Sequence, residues 1–530
     1  MADEKADLVL HEGAVIGHRG SDSLAVSGQR ILAHGTFANL KGLIGPRTHL
    51  IRLGGRTVAP GFIDSHLHFM EGASVTAGVS LTRCRTIPDL LADLRVAGGK
   101  TPPGNWFKAF GCDEALMHER RGPTRAELDQ AVARNPLRLR HQTLHASWLN
   151  SRAIAVLGLD SPGFKPPDGA MLIRDATGAL TGLAIGMEEW LSARMPRVTA
   201  AELEARARIF SRDLAAAGIT AFTDATVSNG PEEVATIGRL AASGSGGGGV
   251  RDARPKSILQ RAAVMVGPHC LDAIATVRRA AAATGINLAG VKFMDVARWD
   301  LPRLIRAVAS ARSQDLDCAF HCTEVEELDA ALTAIEASRE RISARALAGS
   351  LCRIEHGGLI PPEYPERIAA AAAWVVSNPG FIYYRGAKYA GEPGLVPYLY
   401  RAKSLADAGI RIAAGSDAPV TPAKPLCAIA SAISRTSIEG YELAPQEALD
   451  AAAALAIFTS SAAELARLEA GSIVPGRLAD LIVLPADPLT LAPADLIKLP
   501  IDLTIIGGRV VFERGRPVIS GSNVATSASA

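Results

Sequence analysis

The sequence predicts an α/β fold: a (β/α)8 TIM barrel, a small β-sandwich domain built from both chain ends, and a subdomain inserted after the first barrel strand. Three observations predict it. Eight short apolar runs recur along the middle of the chain, most of them followed by a stretch with helical spacing. Both ends carry alternating, strand-like segments instead. The interval after the first apolar run is far longer than one helix requires.

The first sixty residues alternate apolar and polar positions between glycines, as in Asp7-Leu-Val-Leu, Ser23-Leu-Ala-Val and His49-Leu-Ile-Arg-Leu. Period-two alternation is the signature of strands. Ala479-Asp-Leu-Ile-Val-Leu and Leu503-Thr-Ile-Ile-Gly-Gly-Arg-Val-Val-Phe repeat it near the other end. Residues 1–58 and 470–520 are therefore expected to form one composite β domain around a barrel of residues 59–469. The eight barrel runs are 58–66, 218–224, 261–267, 289–295, 317–323, 352–357, 373–378 and 410–417. Helices are expected at 201–217, 271–283 and 325–337, where Ala, Leu, Glu and Arg fall at helical spacing. Alternating strands and helices imply a parallel sheet, and eight such units close into a barrel. Residues from about 70 to 200 make the inserted subdomain, expected to cap the substrate site. Ser243–Gly249 reads as a flexible glycine-rich loop and residues 521–530 as a disordered tail.

Length and composition bound the function. A chain of 530 residues with 48% hydrophobic and 21% charged side chains is that of a globular enzyme with room for a large core. A net charge of +2, from 56 basic and 54 acidic residues, offers no electrostatic footprint for nucleic acid or an anionic membrane. No apolar stretch approaches the ~18 residues of a membrane span, and the start lacks the layout of a signal peptide. The seven cysteines are scattered without a CxxC pair, which points to free thiols and a cytoplasmic location.

Polar residues at the ends of the apolar runs carry the chemistry. His66 and His68 end the first run, in Gly61-Phe-Ile-Asp-Ser-His-Leu-His. Residues i and i+2 of a strand share a face, so both imidazoles can grip one ion. Lys292, His321, His356 and Asp417 likewise stand at the ends of runs. Lys292 and His321 are 29 residues apart and His321 and His356 are 35 apart, each about one βα unit; His356 and Asp417 are 61 apart, room for two. These candidate ligands thus fall on strands one, four, five, six and eight, at the rim where barrel active sites lie. Singly, each has a plainer reading: a strand-end histidine is often a hydrogen-bonded core residue, and Lys292 could pair with Asp295 or Glu324. Their joint order and register favour metal.

On these residues the chain resembles the amidohydrolase superfamily, in its family 3 branch of N-substituted formamide deformylase-like enzymes. The resemblance spans nearly the whole chain. It includes Ala59-Pro-Gly-Phe-Ile-Asp-Ser-His-Leu-His, Pro102-Pro-Gly-Asn-Trp, Gly111-Cys-Asp-Glu, Pro123-Thr-Arg-Ala-Glu-Leu-Asp, His145-Ala-Ser-Trp-Leu-Asn-Ser, Gly415-Ser-Asp and Gly471-Ser-Ile-Val-Pro-Gly-Arg-Leu-Ala-Asp-Leu-Ile-Val-Leu. It implies that Lys292 is carboxylated by CO2 and bridges two divalent ions. His66, His68 and Asp417 would then hold one ion, and His321 and His356 the other. Zn2+ suits such ligands, with Mn2+ or Fe2+ as alternatives. Water held between two cations ionises near neutral pH, which supplies a hydroxide to attack an amide-like carbonyl. Asp417 would act as general acid and base, and the reaction would be hydrolysis of a non-peptide C–N bond in a small molecule.

Two segments depart from the family pattern: Phe293-Met-Asp-Val-Ala-Arg-Trp299 after the lysine, and the HxxE arrangement His321-Cys-Thr-Glu324. In barrel deaminases of the superfamily such a glutamate shuttles protons beside a single metal, so a mononuclear amino-heterocycle deaminase using Glu324 is the alternative; Glu324 could equally support a ligand. A catalytically inactive scaffold is a third reading, disfavoured because no candidate ligand is missing. Candidates for the substrate pocket are Trp106, Asp113, His145 and Trp148 in the insertion, and Trp299, Glu324, Tyr383 and Tyr384 after barrel strands. Ordinary packing is the competing explanation for each aromatic. Arg385 or Lys388 could meet a substrate carboxylate. A homodimer is the default assembly.

Overall fold

The computed structural model describes residues 5–76, 78–196, 198–242 and 257–515. Its centre is one eight-stranded sheet, in the order β1 (Phe62–Leu67), β2 (Ile219–Asp224), β3 (Arg261–Val266), β4 (Asn287–Phe293), β5 (Cys318–Cys322), β6 (Cys352–His356), β7 (Trp374–Ser377) and β8 (Ile412–Ala414). Every neighbouring pair is parallel. The sheet curls until β8 meets β1: the Asp417 N–H donates to the His66 carbonyl and the His68 N–H to that of Ala418, each at 2.8 Å. Helices such as Pro231–Ala241, Ile274–Thr284, Leu301–Ser313 and Val325–Ser338 follow the strands, as a TIM barrel requires. Strands covered on both faces read as near-continuous apolar runs, and all six residues of β1 are buried. Alternation sends Lys292 and His321 to the inner face. It sends Phe293 and Phe320 outward, where their rings stack at 5.1 Å in the buried core.

The strand ends differ from the sequence expectation. The first run divides at Gly61. Thr57–Pro60 belongs to another sheet, and only Phe62–Leu67 enters the barrel. Pro60 has no N–H to extend a ladder. Gly61 packs so closely on β2 that a Cβ there would lie 2.3 Å from Thr220 Cγ2. The helix expected at 271–283 forms as a 3-10 turn, Pro268–Ala273, running into Ile274–Thr284.

Both chain ends contribute to a five-stranded sheet, in the order Ala14–Val15, Thr57–Pro60, Leu481–Leu484, Leu503–Ile506 and Arg509–Glu513. Beside it in sequence, Arg30–Gly35, Ser23–Ser27, Leu8–His11 and His49–Arg52 form a four-stranded sheet. Between β1 and β2 the chain builds a six-stranded sheet from Val79–Ser80 to Leu180–Ile185, with its own buried cluster around Leu90, Leu94, Leu128 and Leu139. The glycine-rich stretch 243–249 and the tail 521–530 lie outside the described residues. All seven cysteines are free and buried, and no helix among the described residues is long and apolar enough to cross a membrane.

Candidate metal centre

The six candidate ligands converge at the C-terminal rim of the barrel. His66 is the penultimate residue of β1 and His68 lies just beyond its end. Asp417 comes from the turn after β8, where its backbone adopts the left-handed φ of 57°. Its Oδ1 lies 3.4 Å from His66 Nε2 and 3.0 Å from His68 Nε2. The ligand atoms of these three side chains all fall within 4.8 Å of one another. Across the mouth, His321 Nδ1 stands 3.1 Å from His356 Nε2, and the His356 ring is 4.8 Å from that of His66. His356 also has a left-handed φ, of 69°, which breaks the alternation that would otherwise turn it away from the inner face. Backbone strain of this kind collects at functional sites.

Other side chains hold the candidate ligands in place. His66 Nδ1 is 2.5 Å from Glu355 Oε2, His68 Nδ1 2.9 Å from Thr226 Oγ1, and His356 Nδ1 2.7 Å from Asn378 Oδ1. Asn378 in turn donates to the Gly415 carbonyl at 2.8 Å. Glu355 is wholly buried and accepts 2.7 and 3.1 Å bonds from Arg353. Sequence reasoning gave no role to Glu355, Thr226 or Asn378. A signal for Glu355 was present: Arg353 and Glu355 are charged residues two apart, alternating with the apolar Cys352 and Ile354, on the strand that ends in His356.

Electrostatics follow from burial. Desolvation pushes the His356 imidazole down to about 3 and His321 well below the ordinary histidine value. Both are therefore neutral, the form that binds metal. Burial likewise depresses the Lys292 ammonium, against the pull of Glu355 and Asp417. Burial would raise Asp417, yet its contacts with His66 and His68 hold it well below the usual carboxylate range. Asp64 accepts bonds from the Ser416 and His66 N–H groups, but burial dominates and raises its carboxyl to about 6. Three candidate ligands each carry a buried atom with no hydrogen-bond partner among the described residues: His66 Nε2, Lys292 Nζ and Asp417 Oδ1.

The candidate pocket residues disperse. Trp106 packs half-buried beside a core cluster of the insertion with Phe164 and Trp190. Trp148 is buried against Gly122, with its ring 5.7 Å from that of His141. His145 is exposed. Trp299 donates to the Met294 carbonyl and lines an outer groove with Val296, Val325 and Tyr364. Tyr383 and Tyr384 meet edge to face, and Tyr384 lies against Cys427. Glu324 is an exposed residue at the start of helix Val325–Ser338, its carboxyl raised by partial burial and by Glu327 and Glu326. Of the candidates in the insertion, Asp113 reaches the helix Pro379–Ala390 after β7, accepting a 3.1 Å bond from Arg385. Sequence reasoning passed over Phe381, whose ring stacks on that of the candidate ligand His356 at 6.1 Å, within an apolar cluster that includes Leu359, Tyr400 and Val420.

Comparison with known proteins adds a lineage to this geometry. A family model described as "Amidohydrolase family" matches residues 49–512. The chain is 27% identical to the N-substituted formamide deformylase of Arthrobacter pascens, over 93% of this chain and 95% of that protein. It is 26% identical to the putative amidohydrolase YtcJ of Bacillus subtilis (strain 168), over 91% and 94%. Among solved structures, an uncharacterized metal-dependent hydrolase from Pyrococcus horikoshii OT3 superposes with a TM-score of 0.69 at 21% identity, covering 92% of this chain and 99% of that one. That last likeness is one of fold.

Proposed function

The chain belongs to the amidohydrolase family and is a hydrolase acting on carbon–nitrogen bonds other than peptide bonds; from that premise we propose that it cleaves a small N-acyl amine at a two-ion centre held by His66, His68, Lys292, His321, His356 and Asp417. The observation that carries this reading is the trio of buried, unpartnered atoms on His66, Lys292 and Asp417. Each would cost about 1–3 kcal/mol left unsatisfied. His66 Nε2, His68 Nε2 and Asp417 Oδ1, all within 4.8 Å of one another, would hold one cation, and His321 and His356 would hold a second. Zn2+ fits imidazole and carboxylate donors, with Mn2+ or Fe2+ as alternatives. Bound divalent ions acidify water and polarise a carbonyl oxygen.

The protein's own groups supply the rest. Burial favours the uncharged amine of Lys292, the form that adds to CO2. The new N–C bond would release one proton and leave a carboxylate on Lys292, an anionic ligand in place of an amine. Asp417, held anionic, accepts the proton of the attacking water and passes it to the departing nitrogen. Glu355 fixes the tautomer of His66 so that Nε2 stays free to ligate. Phe381 closes one wall and excludes water. The likeness to a formamide deformylase makes N-formyl and other N-acyl amines the first compounds to assay.

Asp417→Asn tests the role. Amine release by the variant, followed with an amine-reactive dye, is expected to fall by about 10²–10⁴-fold. Full activity would remove Asp417 from the mechanism. The raised carboxyl of Glu324 supports the alternative, a deaminase with one ion; its exposure at a helix start favours the hydrolase. Ammonia release from amino-heterocycles, abolished in Glu324→Gln, would reverse that preference.

We further assign residues 1–58 and 470–520 to a β-sandwich domain, 59–469 to the barrel apart from Ala59 and Pro60, which continue the five-stranded sheet, and about 70–200 to a cap. The shared five-stranded sheet and the separate six-stranded sheet support that division. The free cysteines support a reducing compartment such as the cytoplasm.

A further inference from the structure

We propose that Arg385, held by Asp113 of the inserted segment, is a specificity residue that hydrogen-bonds an uncharged oxygen acceptor, an ester or amide carbonyl, on the part of the substrate remote from the bond being cleaved. The inference rests on the amide-hydrolase reading above and adds the substrate class to it.

Arg385 lies in helix Pro379–Ala390, which leaves the C-terminal end of β7. Phe381, one turn earlier, stacks on His356, and the Arg385 guanidinium lies over the Phe381 ring at 5.7 Å. Four helical residues rise about 6 Å, so Arg385 stands one turn further out from the candidate metal centre along the same wall. Only 8% of the residue is exposed, and its Nε is buried without a hydrogen-bond partner among the described residues. A guanidinium nitrogen left so is costly unless a ligand supplies the acceptor.

Charge decides the kind of acceptor. Asp113 Oδ2 accepts from Arg385 Nη2 at 3.1 Å, which already neutralises the guanidinium. Asp113 is itself fixed, its Oδ1 accepting from the Ala115 N–H at 3.0 Å. Glu114, 3.1 Å from His141 Nε2, adds a second carboxylate to the same cluster. With Arg385 paired to Asp113, and Lys388 and His141 acting on Glu114, the cluster holds no uncompensated positive charge for a substrate carboxylate, whereas a neutral carbonyl needs only the free Nε–H. Asp113, Glu114 and His141 also have the spacing of a cation site. The Arg385 charge at Asp113 argues against an ion there. The insertion is pinned at this mouth by a second bond, from Gln142 Nε2 to the Val420 carbonyl at 2.9 Å, so Asp113 holds Arg385 from a docked element.

The experiment uses the full-length, metal-loaded protein and three sets of probes: N-formyl amino acid methyl esters with spacers of one to four carbons, alkyl counterparts with a methylene in place of the ester carbonyl, and the free acids. The wild type is expected to favour the best ester over its alkyl counterpart by about ten- to a hundredfold in kcat/KM, and over its free acid. The ester preference should collapse to about one in Arg385→Met. Asp113→Asn should move the preference from ester towards free acid, a shift that a purely structural role would not produce. Calorimetric titration reads the same ratios in Kd. Absence of turnover with every probe would therefore refute the hydrolase reading, while equal Kd values for ester and alkyl probes would refute the acceptor site. A wild-type preference for the free acid, or an unchanged ester preference in Arg385→Met, would also overturn it.

Discussion

Glu355 shows how far the centre depends on residues that would touch neither ion nor substrate. Burial alone would raise its carboxyl. The Arg353 charge and the contact with His66 instead hold it well below the usual range, so the anion persists beside His66 Nδ1. Replacing it by glutamine keeps the shape but leaves Arg353 without its counter-ion in a buried site. Glu355→Gln is expected to weaken metal binding by about 10–100-fold and to destabilise the fold by on the order of 3 kcal/mol. Chelator competition and denaturant unfolding check the two effects. The histidines were legible from their positions at the ends of apolar runs. Glu355 was harder to see: pairing brings it opposite His321, and register between strands 34 residues apart is not written in either strand alone. The left-handed backbone at His356 and Asp417 was hidden too, since neither is a glycine.

Gly61 governs where one sheet stops and the barrel begins. A methyl group there would collide with Thr220 at Cγ2 (2.3 Å) and Oγ1 (2.5 Å). Gly61→Ala is expected to destabilise by about 1–3 kcal/mol, and adding Thr220→Ala should recover much of the loss; thermal unfolding of the two variants decides it. A second element carries a pH signature. Helix Arg125–Ala131 opens with a capping box between Thr124 and Glu127, and Arg121 bonds both oxygens of Glu127 at 2.8 and 2.7 Å. The hydrogen bond from Arg121 lowers the Glu127 carboxyl to about 2, against an ordinary value of 4.5. A depressed carboxyl stabilises fully above its unfolded value, and that stability fades as pH falls from about 4.5 towards 2. Wild type should therefore exceed Glu127→Gln in urea resistance at pH 7, with the gap closing across that window. Strand and helix positions were legible because apolar period and helical composition are local. The exchange at Gly61 depends on a contact with β2, more than 150 residues on, and the first run read as a single strand.

The barrel and the inserted segment meet at one mouth. The barrel presents the six candidate ligands, and the inserted segment reaches the same rim through Asp113 and Gln142. The barrel was legible because eight repeats of one pattern reinforce each other. The insertion has no such rhythm: its sheet mixes parallel and antiparallel pairs, and only its length betrayed it. Its aromatic residues were weighed for the pocket, but Trp106 and Trp148 pack against its own interior clusters. Metal content per chain, measured by inductively coupled plasma mass spectrometry on protein purified with zinc and bicarbonate, bears on the entire arrangement. Two ions per chain are predicted, falling to one or fewer in Lys292→Ala. One ion or none in the wild type would contradict a lysine-bridged pair and the hydrolytic centre built on it.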